Sequence, residues 1–135
     1  EFYKKHPMNT WELKDTGWKT SYGRSVYLDQ FGSFHSESSA TVTIKDNGKE
    51  YFINVPLIFG GKTVSPPEAL KIITSNNFID PESKEKNKLP IFNSINEAVE
   101  AAKGRMRTLN KDQPWTDYGP EGAIDLYKTL ETKEK

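Results

Sequence analysis

One segment limits the possible folds more than any other. Ala40-Thr41-Val42-Thr43-Ile44-Lys45 and Glu50-Tyr51-Phe52-Ile53-Asn54-Val55 flank Asp46-Asn47-Gly48-Lys49. Both flanks alternate apolar and polar side chains, the period of a half-buried strand. Asn-Gly suits a type I′ turn, whose two central residues both take positive φ. With Asn47 and Gly48 at the tip, Ile44 faces Tyr51, Val42 faces Ile53 and Ala40 faces Val55, all on one side. Lys45 then opposes Glu50 on the other side, a favourable cross-strand pair. Turn, register and charge agree, so the chain must contain an antiparallel hairpin with one apolar face to cover.

The segments that could cover it follow. Ser65-Pro66-Pro67-Glu68 is a capping box with proline at the first helical position. The helix it opens carries Ala69, Leu70, Ile72 and Ile73 and should stop at Asn76-Asn77. Ser94-Ile95-Asn96-Glu97 is a second capping box. Behind it Ile95, Ala98, Val99, Ala102, Met106 and Leu109 form one stripe at helical spacing. Its acids lie early and its bases late, as the helix dipole favours, and Gly104 leaves room for close packing. A last helix should start near Pro120 and carry Ile124, Leu126, Tyr127 and Leu130.

Further strands are expected at Trp18–Tyr22 and Ser25–Leu28, with a serine-rich loop or strand entry from Ser33 to Ser39. Pro56 weakens the ladder and Gly60-Gly61 breaks it. Residues 80–90 read as a charged, solvated insertion, with Ile91-Phe92 as a short strand or docking segment. Residues 1–16 read as an N-terminal tail or linker, pinned by Trp11 and Leu13. The expected fold is a single α+β domain over residues 17–135. It has a small antiparallel sheet of three or four strands, two helices on one face and a C-terminal helix.

Composition narrows the function classes. The 135 residues hold 19 Lys+Arg and 19 Asp+Glu, so the formal net charge is zero. A general nucleic-acid or anionic-membrane binder would need a basic surplus. The absence of cysteine excludes disulfides, thiol catalysis and Cys-based zinc sites. No apolar run reaches the roughly 18 residues of a membrane span.

The local constellations point away from catalysis. His35-Ser36-Glu37 has the H-x-E spacing of zinc deaminases, but that chemistry also needs cysteine ligands. The serines around His35 lack a nucleophile elbow. Asp29 and Glu37 could pair for glycoside cleavage, but nothing fixes their separation. Gly60-Gly61-Lys62-Thr63 resembles the end of a phosphate loop, but Pro56 stands where its first glycine should be. Lys103, Arg105 and Arg107 fit a solvated helix end. No catalytic residue, metal ligand or cofactor is therefore assigned. Most of the dense aromatics of the N-terminal third should be core of a small sheet, and the rest suggest a contact patch, because Trp, Tyr and Arg are enriched at interfaces. The candidate partner-binding residues are Trp18, Tyr22, Arg24, Tyr27, His35 and Glu37, with Trp115 as an outlying member.

Six short motifs carry a resemblance. They are Gly23-Arg24-Ser25-Val26-Tyr27, Ser36-Glu37-Ser38-Ser39-Ala40-Thr41, Gly48-Lys49-Glu50, Asn54-Val55-Pro56-Leu57-Ile58, Gly61-Lys62-Thr63-Val64-Ser65-Pro66-Pro67-Glu68-Ala69, and Ile91-Phe92-Asn93-Ser94-Ile95-Asn96-Glu97-Ala98. In this order residues 22–107 resemble a small module of tailed-bacteriophage virion proteins. Leu57 stands where that module usually has threonine, and the 80–90 loop is longer than usual. The resemblance implies a non-enzymatic structural or accessory role through binding of other virion proteins. It implies a location in the virion, or in the host cytoplasm during assembly. Two alternatives stay open at this point. One is a peptidoglycan-binding accessory segment of a cell-wall-degrading virion protein. The other is an inhibitor of a host protein.

Overall fold

A computed structural model describes residues 12–109 and 118–133. Its strands are β1 (Leu13–Lys19), β2 (Ser25–Asp29), β3 (Phe34–His35), β4 (Ser39–Asp46), β5 (Lys49–Pro56), β6 (Ile58–Phe59), β7 (Lys62–Thr63) and β8 (Ile91–Phe92). The helices are α1 (Pro66–Ser75), α2 (Ile95–Leu109) and α3 (Pro120–Lys133). The class is α+β, as expected. The strands divide into two three-stranded antiparallel sheets, β1-β2-β3 and β4-β5-β8, and a β6-β7 hairpin.

The β4-β5 hairpin forms in the expected register, with Ile44 opposite Tyr51, Val42 opposite Ile53, Ala40 opposite Val55 and Lys45 opposite Glu50. Asn47 and Gly48 take φ of 50° and 78°, as a type I′ turn requires. Gly60 and Gly61 also both have positive φ, and instead of only ending a ladder they turn the short β6-β7 hairpin.

The expected boundary at residue 16 falls inside β1, because Leu13, Lys14 and Asp15 already pair with β2. The register shifts between Asp15 and Lys19, around Gly17 at φ 88°. The strand expected to reach Tyr22 ends at Lys19. There the Thr20 hydroxyl accepts the Tyr22 and Arg24 N–H groups and closes a turn through Gly23. Trp11 lies outside the described residues.

Ser65 caps α1 by accepting the Glu68 N–H at 3.3 Å, and the chain leaves the helix through Asn77 and Phe78, both at positive φ. Ala69 and Ile73 of α1 pack on Ile53 and Val55, with Val42 and Ile44 beside them. Ser94 caps α2 in the same way, accepting the Glu97 N–H at 3.2 Å. Neighbouring residues of a strand point to opposite faces. Ile53 is held by α1, whereas the Asn54 amide donates to Ala98 O of α2 at 2.8 Å. The sheet therefore lies between the two helices, and not with both on one face as the sequence pattern suggests. The sheet surface under α2 carries Thr41 and Asn54, which bond each other at 2.7 Å. Against it α2 turns the fully buried Ala98, and Ile95 and Met106 of the expected stripe stay about half exposed.

The other sheet is covered by α3. Ala123 and Tyr127 pack on Leu28, with Phe34, Leu126 and Leu130 around them, and the Tyr127 hydroxyl donates to Glu12 at 3.1 Å. Trp18, Phe34 and Tyr118 form an aromatic group at one end of this layer, Tyr118 meeting both other rings edge-on and Trp18 tilted against Phe34.

Candidate functional site under the second helix

Because α2 offers alanines and the sheet offers short polar side chains, the two surfaces do not fill the space between them. A cleft of about 280 Å³ opens there. Pro56, Leu89, Phe92 and Met106 supply apolar walls, and Tyr22, Glu37, Asn54 and Arg105 supply the polar groups. Ala101, Ala102 and Gly104 floor the helix side. A Cβ at Gly104 would meet only the Arg107 guanidinium, at 3.8 Å, so this glycine serves no close approach.

The charges at the cleft are tied together. One Glu37 oxygen accepts the Thr20 hydroxyl at 2.8 Å, and the other receives Nε and Nη2 of Arg105, each at 3.2 Å. Nη1 of Arg105 reaches Glu85 at 3.0 Å. The guanidinium lies over the Tyr22 ring, 3.6 Å from its centroid, a close cation–π contact. Burial alone would lower the Arg105 pKa, but Glu37 and Glu85 outweigh it and hold the group above its usual range. Arg105 is thus a tie between α2, the 80–90 loop and the segment before β4, not a solvated helix end.

The 80–90 segment is correspondingly no free insertion. Asp80 is 4% exposed and receives Nη1 of Arg24 at 3.3 Å on both oxygens. Glu82 accepts the Gly60 N–H, and the Lys84 N–H donates to Tyr22 O at 3.0 Å. Gly23 is needed at this contact, since a Cβ there would sit 2.6 Å from Lys84 N.

The sequence-derived candidates separate into groups. Tyr22 and Glu37 line the cleft. Arg24 does not reach the surface: it is 2% exposed, it also donates to Ile58 O, and it lies over the Phe59 ring. Its Nε has no hydrogen-bond partner among the described residues. Tyr27 is buried against Gly61, and burial, followed by the nearby Glu82, raises its phenol pKa. His35 Nε2 lies 2.7 Å from Asp29, and the pair belongs to the interior of the first sheet. Burial would raise the Asp29 pKa, but His35 and the Ser33 and Phe31 N–H groups bring it below the ordinary range. Trp18 is half-buried in the aromatic group, away from the cleft lining. Trp115 lies outside the described residues.

Sequence reading missed Asn54, Phe92, Arg105 and Met106 as one site. Their signal was the run of small residues on α2, Ala98, Ala101, Ala102 and Gly104, opposite the short side chains of Thr41 and Asn54. Among the described residues no cluster of three or more His, Asp or Glu side chains could hold a metal ion, and no helix is long and apolar enough to cross a membrane. In comparison with known proteins, no family, curated protein or solved structure matches this chain.

Proposed function

We propose that this chain is a non-enzymatic structural or accessory protein of a bacteriophage virion that works by binding other proteins, with the α2 cleft as its contact. The virion assignment is supported by the resemblance of residues 22–107. The binding role is supported by one observation, the make-up of the cleft. Its walls are apolar, its charged groups are already paired, and it gathers Tyr22, Arg105 and Met106, residue types enriched in interface cores. Such a cleft accepts an apolar side chain of a partner without burying an unpaired charge. Partners would be other virion proteins, met in the particle or in the host cytoplasm during assembly.

The test is chemical cross-linking and mass spectrometry of purified particles, beside capture of virion proteins by the isolated chain. The chain should be present in particles, and Met106→Asp should abolish capture while the far-ultraviolet circular dichroism stays unchanged. Absence from particles, or turnover of peptidoglycan by the pure chain, would refute the proposal.

A further inference from the structure

β4 is the outermost strand of its sheet, eight residues long and paired on one side only. In an antiparallel ladder alternate residues direct both backbone groups to the same neighbour. A two-residue turn closes on such a bonded pair, here Asp46 and Lys49. The Leu57 N–H donates to Ser38 O, which fixes the same parity at the other end. Even-numbered residues of β4 therefore bond β5. The N–H and C=O groups of Ser39, Thr41, Thr43 and Lys45 point outward, and no other described strand pairs with them.

Proteins blunt such edges with proline, bulges, inward charges or short length. β4 has no proline, its register with β5 is unbroken, and its inner positions from Ser39 to Ile44 are uncharged. Its flanks are unfinished on both faces. On the α1 side Val42 and Ile44 are only partly buried, while their partner strand's Ile53 and Val55 are fully buried. On the α2 side an open recess of about 370 Å³ runs beside Ser39 and Thr41. Its charged lining consists of Lys103 and Arg107 alone. Lys103 has a loose, exposed contact with Glu100 at 3.6 Å.

We infer that β4 receives an added strand from a partner protein whose side chains alternate apolar and acidic. This deepens the protein-binding reading above and rests on it. Backbone pairing would supply the attachment, as in strand addition generally. Apolar residues of the incoming strand would complete the flank of Val42 and Ile44. Acidic residues would fall on the other face, under Lys103 and Arg107. A second copy of β4 does not fit, since its polar face carries Thr41, Thr43 and Lys45 and would set a lysine near two cations.

The probe is a labelled seven-residue peptide alternating Val or Ile with Glu, titrated against the full chain by fluorescence anisotropy. Saturable binding is expected, with new protection of the Thr41, Thr43 and Lys45 amides in hydrogen exchange and none at Val42. Thr43→Pro removes one outward N–H and leaves the β5 ladder intact, so it should abolish binding, whereas Thr43→Ala should not. Should Thr43→Pro lower the unfolding midpoint, the pair Lys103→Glu and Arg107→Glu decides instead. It should weaken the acidic peptide about tenfold and favour its Lys counterpart. No binding, binding indifferent to both changes, or equal binding of an N-methylated acidic peptide would overturn the inference. Absence of the chain from virions would refute the proposed role without touching this titration, so the two failures are distinct.

Discussion

Arg24 meets the Asp80 carboxylate 56 residues away, and both side chains are only 3% exposed. Removing one partner of a buried pair strands the other charge. Asp80→Ala should therefore cost about 3–5 kcal/mol in urea unfolding. The double variant Arg24→Met with Asp80→Leu should recover most of that loss. Asp29 contributes a pH dependence. Its pKa is depressed in the folded state, so its stabilisation is complete above the unfolded value of about 4 and disappears as pH falls through the folded one. The urea midpoint should decline with acidification in that range, and Asp29→Asn should flatten the decline while lowering stability at pH 7. Neither role was legible in the sequence. Arg24 sits between Gly23 and Ser25 with no local sign of burial, and the residue that neutralises it lies in a segment whose charge density suggested solvent.

At the scale of elements the legible features were those whose causes are local. The β4-β5 hairpin carries its turn, alternation and facing charges within sixteen residues of sequence, and α1 and α2 announce themselves by their serine caps. The faces of α2 were not legible, because helical spacing selects a stripe but not its neighbour. Ala98 took the sheet because Thr41 and Asn54 opposite it are small and polar, and Met106 was left beside the cleft. Turn glycines give a comparative test. Gly48 has φ 78° with open space around it, so Gly48→Ala should cost only the left-handed backbone penalty, about 1–2 kcal/mol. Gly23 has φ 92° and the Lys84 backbone 2.6 Å from any Cβ. Gly23→Ala should therefore lower the thermal midpoint clearly further, read by circular dichroism melts of the two variants side by side.

Over the whole molecule, the two sheets are joined less by a shared apolar core than by the 80–90 segment. It reaches the first sheet's turn through Tyr22 O and Arg24, the β6-β7 turn through Gly60, and α2 through Arg105. That wiring could not be read from a sequence in which these residues are far apart and individually ordinary. The β4-β5 contacts close a two-residue turn, whereas the Arg24–Asp80 pair must close a loop of more than fifty residues. Loop-closure entropy predicts an order of assembly in which the hairpin forms first, on the scale of about 1–10 microseconds, and the clasp engages after the main barrier. Stopped-flow chevrons should show Gly48→Ala slowing refolding, and Asp80→Ala leaving refolding nearly unchanged while accelerating unfolding. A chain arranged this way makes the β4-β5 hairpin before the helices that pack on it. During its own synthesis the outward backbone groups of β4 therefore precede Lys103 and Arg107, and selection for an acidic strand has to wait for α2.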